Sequence, residues 1–264
     1  MTNGIVTYAD TDFLESAKLL AITAKKFSNL PTTLVTNQPI EADEFEHIIV
    51  TPCRYAEEGM IVSLMASPYD NTAFIYADSL VLSNITPYFA MLEYQDFVFA
   101  NARDFKSAPL PSALFLDRNM ITKNSLPDVW TNFFLYKKEP MQEVTSLMST
   151  VMELWKDILP TACPNYSNDD YLKLHFNTVM SIALKTLDKK PADYGLPFVN
   201  MSMQTANVSL SALAEKPWHQ LLSYWVTDEA HVKVENYIQQ GVWHYATNFI
   251  DQSKQARIRQ ICSI

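Results

Sequence analysis

AFIYADSLVL, residues 73–82, is the stretch on which the fold turns. Its first five residues are almost wholly apolar, as expected of a central parallel strand covered by helices on both faces. Asp78 then stands where the chain leaves the core. Ligands of open α/β sheets bind beyond the carboxyl ends of the strands. A carboxylate placed there reads in two ways: as a hard oxygen ligand for a divalent cation that neutralises phosphates, or as a turn or helix-cap aspartate.

Working outward, GIVTYA (4–9) predicts a strand. The helix 13–27 that follows carries Leu14, Ala17, Leu20, Ala21 and Ala24 at helical spacing. Thr11 or Asp12 is its expected cap. TTLVT (32–36) completes a strand–helix–strand unit, which predicts a right-handed crossover. HIIVT (47–51), QDFVFA (95–100) and WTNFFLY (130–136) read as further strands, and MIVSLMAS as a helix that Pro68 ends. Beyond residue 140, MQEVTSLMSTVMELWKDI and YLKLHFNTVMSIALKTL read as helices, His231 falls in a charged helix, and 250–264 is a terminal helix or a mobile lid. The predicted class is α/β: a mainly parallel twisted sheet flanked by helices, with a more helical C-terminal part. One domain, 1–264, is expected, with subregions near 1–139 and 140–264.

Composition narrows the function classes. An apolar fraction of 48% with only 4 glycines in 264 residues excludes collagenous and disordered chains. No apolar run approaches the roughly 18 residues of a membrane span, and the opening MTNGIVTYADTD turns acidic before a signal-peptide apolar region forms. Cys53, Cys163 and Cys262 lie far apart without a CxxC, which predicts a reducing, cytoplasmic setting and no thiolate metal site. A formal charge of −9 gives no global attraction to a polyanion. G-x-G-x-x-G, GKS or GKT, G-x-S-x-G and HExxH are all absent from the sequence, which removes the usual warrants for dinucleotide, P-loop, serine-hydrolase and zincin chemistry.

FIYADSLVLSNITPYF (74–89) followed by YQDFVFAN (94–101) resembles the central segment of GT-A-fold glycosyltransferases, especially the retaining, glycogenin and galactosyltransferase-like group. That group carries an Asp-x-Asp after an apolar strand. Asp78 matches the second aspartate, whereas Tyr76 replaces the first and brings no negative charge. GIVTYADTDFLESAKLLAITAKKF resembles the family's opening strand and helix, whose loop receives base and ribose. The resemblance therefore implies donor binding at Thr7, Tyr8 and Ala9, with Tyr8 stacking on the base or, equally, packing on a neighbouring strand. WTNFFLYKK resembles the strand that touches the donor sugar: Asn132 matches the family's asparagine, and Phe133 and Phe134 replace small residues. SNDDYLKL resembles the family's downstream acidic pair, which implies that one of Asp169 and Asp170, Asp169 by preference, faces the cleft while the other caps a helix. QGVWHYATNF resembles the late loop that supplies a metal-binding histidine, so His244 is either that ligand or part of an aromatic cluster with Trp243 and Tyr245.

The resemblance implies transfer of a sugar from a nucleotide-diphosphate sugar to an acceptor. The acceptor class stays open among glycan, protein and modified nucleic acid. Mn²⁺ or Mg²⁺, with Mn²⁺ the better match to an imidazole, is implied on Asp78 and His244. Arg103 or a basic residue of the tail would assist with the leaving diphosphate. Two other readings stand beside it: an inactive nucleotide- or glycan-binding module, motivated by Tyr76 and the Phe133–Phe134 pair, and a nucleotidyltransferase, which the scarcity of glycine disfavours.

Overall fold

A computed structural model describes residues 1–100, 126–127, 129–162, 176–193, 195–201, 218–228, 231–245 and 250–262. Arg103, Asp169 and Asp170 lie outside the described residues. The elements are β1 (Asn3–Tyr8), α1 (Leu14–Ser28), β2 (Thr32–Thr36), β3 (His47–Val50), α2 (Ala56–Ala66), β4 (Asn71–Ile75), β5 (Ser79–Val81), β6 (Phe97–Ala100), β7 (Trp130–Lys137), α3 (Lys138–Ala162), α4 (Phe176–Thr186), β8 (Ala192–Asp193), β9 (Phe198–Asn200), α5 (Trp218–Leu221), β10 (Tyr224–Val226), β11 (Val232–Val234), β12 (Tyr237–Ile238), β13 (Val242–His244) and α6 (Gln252–Cys262).

The main sheet has the order β3-β2-β1-β4-β7-β6-β8. Its strands run parallel except β7, which is antiparallel to both β4 and β6. Alternation along the strands feeds two apolar layers. Val6, Tyr8, Phe74, Phe134 and Tyr136 pack with Ile61 and Leu64 of α2, Val144 and Met148 of α3, and Val179 and Met180 of α4. On the other face Ile5, Ala73, Ile75, Phe133 and Leu135 pack with Leu20 and Ala24 of α1. Each such side chain taken fully out of water contributes about 1.5–3 kcal/mol, so continuous apolar runs such as Ala73–Ile75 commit their strands to the centre. The result is the expected mainly parallel sheet between helical layers.

Local details correct the sequence reading. A 3-10 turn, Thr11–Phe13, leads into α1 and is capped by Asp10, whose carboxylate accepts from the Asp12 N–H at 3.1 Å; α1 itself follows Phe13 without a side-chain cap, so neither Thr11 nor Asp12 caps it. His231 is not helical. It precedes β11, where Val232 and Val234 turn inward to Leu80 and Trp243 and Lys233 turns away, a period-2 pattern. The tail forms α6, a docked helix whose cations are engaged: Arg259 with Glu15 at 2.9 Å and Glu44 at 3.0 Å, Arg257 with Asp228, and Lys254 over the Tyr224 ring. No described helix is long and apolar enough to cross a membrane.

Beyond residue 78 two small sheets join the helices. One is β10-β11-β12; the other, β5-β13-β9, brings a late segment back to the end of β4. Gly241 makes that return possible. Its φ is +67°, and a Cβ there would stand 2.0 Å from the Pro197 carbonyl oxygen, the same oxygen that accepts the Val242 N–H at 2.7 Å. Gly241→Ala is therefore expected to cost about 1–3 kcal/mol, lowering the melting temperature by about 2–4 °C per kcal/mol. A calorimetric melt unchanged from wild type would show that the β13–β9 junction tolerates a side chain.

Candidate functional site

The strand order reverses at β1. From it the chain proceeds to β2 and β3 on one side, and β4 lies on the other. Such a switch point leaves a crevice outside the carboxyl ends of the two central strands. A cavity of about 450 Å³ occupies it, lined by Tyr8, Ala9 and Asp10 from the end of β1, Phe74 and Tyr76–Asp78 from the end of β4, Asn132 of β7, His244 of β13, and Phe13, Ala56 and Met60 from the neighbouring helical segments. Tyr8, Ala9, Tyr76, Asp78, Asn132 and His244 thus meet in one place. Thr7 does not line it: strand alternation turns it to the same side as Ile5, where it is fully buried.

Backbone pairing explains how residues so distant in sequence converge. Ile75 pairs with Phe133, and the Tyr76 N–H donates to the Asn132 carbonyl at 3.0 Å, fixing β7 beside the Asp78 loop. His244 pairs with Ser79 across β13 and β5, and the Tyr245 N–H donates to the Asp78 carbonyl at 3.0 Å. The His244 ring is buried, with Phe198 stacked on it at 6.3 Å between centroids and Tyr76 edge-on at 5.8 Å.

Hydrogen-bond directions follow from this geometry. His244 Nδ1 lies 3.1 Å from Asp78 Oδ1, with the Ser79 hydroxyl at 3.4 Å, and Nε2 lies 3.2 Å from Asn132 Nδ2. An ionised carboxylate only accepts, so Nδ1 carries the proton. In the neutral ring Nε2 then accepts from the Asn132 amide. Asp78, His244 and Asn132 form one ordered chain, in which Asn132 touches the imidazole.

The electrostatics of the lining are one-sided. Asp10 and Asp78 contribute carboxylates, and none of the described lining residues is Lys or Arg. Tyr8 is pushed up to about 12, first by burial and then by Cys53, Asp10, Glu57 and Glu58, so it stays protonated at physiological pH. Burial likewise raises Tyr76 above its ordinary value.

A divalent cation can be tested against this donor set. One carboxylate and one imidazole suit Mn²⁺, and they face one another directly. Among the described residues no group of three or more His, Cys, Asp or Glu side chains gathers to hold a metal ion. A cation held by this pair would have to take its remaining ligands from a bound anion and water, and Nδ1 would have to give up the hydrogen it directs at Asp78.

No protein-family model matches the chain, and no curated protein matches it. Among solved structures, the apo form of the glycosyltransferase GlyE of Streptococcus pneumoniae TIGR4 is similar over 100% of this chain, with a TM-score of 0.53 and 10% sequence identity. The fold is glycosyltransferase-like. This chain spans 61% of the length of GlyE, and at 10% identity the likeness is one of fold. Within that glycosyltransferase-like fold, Asp10, Phe13, Ala56 and Met60 are lining residues that the sequence reading did not assign to the site. Asp10 alone had a signal, its place two residues after Tyr8. The others reach the cavity through the packing of helices on the sheet.

Proposed function

We propose that the protein is a glycosyltransferase that moves a sugar from a nucleoside-diphosphate sugar to an acceptor hydroxyl or amine. One observation carries the reading: Asp78 and His244, 165 positions apart, stand 3.1 Å apart in a cavity at the sheet's switch point. Tyr8 and the apolar wall of Phe13, Met60 and Phe74 offer a slot for the base, and Asp10 an acceptor for hydroxyls of the ligand. Asp78 and His244 would hold Mn²⁺ or Mg²⁺, which neutralises the leaving diphosphate and compensates the two lining carboxylates. In the reaction the bond from the anomeric carbon to the diphosphate oxygen breaks, a bond to the acceptor atom forms, and the acceptor loses its proton. Arg103, Asp169 and Asp170 stay candidates for diphosphate and acceptor contacts on the sequence resemblance.

Titration of UDP, GDP, ADP and CDP with Mn²⁺ by calorimetry tests the site, and incubation with the matching nucleotide sugars tests the chemistry. Release of a nucleoside diphosphate is expected. Pyrophosphate release would instead identify a nucleotidyltransferase, and tight binding without turnover an inactive module. Base–aromatic stacking contributes about 1–3 kcal/mol, so Tyr8→Ala is expected to weaken nucleotide binding about tenfold while the chain stays folded. Equal affinities of the two folded proteins would remove Tyr8 from the base site.

A further inference from the structure

Tyr76 is joined to a relay whose direction is fixed from its far end. The Thr131 N–H, an obligatory donor, lies 3.3 Å from Asn177 Oδ1 in α4, which sets the Asn177 amide with its oxygen toward Thr131. The Thr131 hydroxyl donates to the same oxygen. Its own oxygen is then left to accept from the Tyr76 hydroxyl, 3.2 Å away. A phenol has a single proton, and this one is committed to Thr131. What Tyr76 retains is a neutral oxygen able to accept one more hydrogen bond, on a side chain that lines the cavity and is held by Phe74 and His244 at ring-centroid distances of 5.8 Å and near-perpendicular angles.

A neutral acceptor discriminates among the parts of the donor. Diphosphate oxygens are themselves acceptors and gain nothing from it, and it has no charge with which to hold a cation. Sugar hydroxyls match it. We propose that Tyr76 is a specificity residue that contacts the substrate, its phenolic oxygen accepting a hydrogen bond from a sugar hydroxyl of the donor. This rests on the glycosyltransferase reading and deepens it. The position that carries a carboxylate in the resembled family here selects for a hydroxyl.

The test compares wild type, Tyr76→Phe and Thr131→Val by calorimetry with Mn²⁺. The ligands are whichever of UDP, GDP, ADP and CDP binds wild type most tightly, its 2′-deoxy and 3′-deoxy forms, and its sugar-bearing forms. Tyr76→Phe keeps the ring packing and is expected to weaken binding about threefold to tenfold, the range of one neutral hydrogen bond. If the hydroxyl belongs to ribose, the loss appears with the plain diphosphate and vanishes with one deoxy form. If it belongs to the transferred sugar, the loss appears only with the sugar-bearing ligand. Thr131→Val frees the phenolic proton and is expected to reduce the same discrimination with Tyr76 in place, so it carries the test should Tyr76→Phe fold poorly. Equal affinities across all ligands, or a uniform loss that includes every deoxy form, would overturn the role of Tyr76 and leave the wider reading standing. Failure of wild type to bind any of these nucleotides would overturn both.

Discussion

Asp78→Asn is expected to lower nucleotide-dependent Mn²⁺ binding and sugar transfer by about 10²–10³, the scale of losing a charge-stabilising group from a preorganised site. The substitution is informative because it is nearly isosteric. An asparagine oxygen still accepts from His244 Nδ1–H, so the ring now 3.1 Å away keeps its place while the negative charge disappears. His244→Ala removes the second donor and also opens space between Phe198 and Tyr76, so it is expected to lower the melting temperature as well. Wild type is expected to bind Mn²⁺ weakly alone and far more tightly with a nucleoside diphosphate, because two protein donors leave most of the coordination to phosphate and water. Nδ1 must give up its hydrogen to become a ligand; in the neutral ring that hydrogen moves to Nε2, with Asn132 turning its amide oxygen to accept it, so no net proton is expected to leave with metal binding. Calorimetry in buffers of different ionisation heat is then expected to give one and the same binding heat. Mn²⁺ affinity insensitive to nucleotide and to both substitutions would discard the shared cation and favour metal-independent transfer or an inactive module.

The meeting of Asp78 and His244 was legible in the sequence only through resemblance, and the contrast with the fold is instructive. Strands β4 and β6 announce themselves because burial on both faces demands uninterrupted apolar side chains, as in Ala73–Ile75 and Phe97–Ala100, and β2 shows itself by the β-branched residues of TTLVT. The direction of β7 left no such trace. A strand buried on both faces has the same composition whether it runs parallel or antiparallel, and its reversal is fixed by the pairing of Ile75 with Phe133. The short strands β9 to β13 are two or three residues each, too brief for a period to emerge, although Val232–Lys233–Val234 carried a faint alternation that a helical reading of the charged segment overrode. In the site, Asp78 was readable because it stands at the end of a locally defined apolar strand, whereas Tyr8 was reached through the resemblance of its segment. Asn132 was expected at a sugar contact and does line the cavity, and its amide also meets His244 at 3.2 Å, a partnership set by the sheet β5-β13-β9 and by no local pattern. The Tyr76–Thr131–Asn177 relay likewise joins three elements that only tertiary packing brings together.

Gly59 sets the room left for the Tyr8 ring beside the cavity, and its substitution separates packing from the proposed recognition. It lies inside α2, where alanine in place of glycine ordinarily stabilises a helix by about 1 kcal/mol. Here a Cβ would meet the Tyr8 ring at 2.1 Å from Cε2 and 2.4 Å from Cζ, well inside any tolerable contact. Tyr8 is almost wholly buried, packed with Val6, Ile61 and Phe74, and the open side available to its ring is the cavity it lines. Gly59→Ala is therefore expected to drive the ring into the space a nucleotide needs. Overpacking should cost about 1–3 kcal/mol in spite of the better helix former, and nucleotide affinity should fall further than in Tyr8→Ala, because the slot is filled as well as its stacking face lost. The double variant decides the cause. With Tyr8→Ala the obstruction is gone, so adding Gly59→Ala should be neutral or stabilising by the helical increment, and nucleotide affinity should return to that of Tyr8→Ala alone. Thermal melts and nucleotide titrations of the two single variants and the double complete the cycle. Additive losses in stability and affinity would show that Gly59 and Tyr8 act independently, and would place the control of the slot elsewhere on α2.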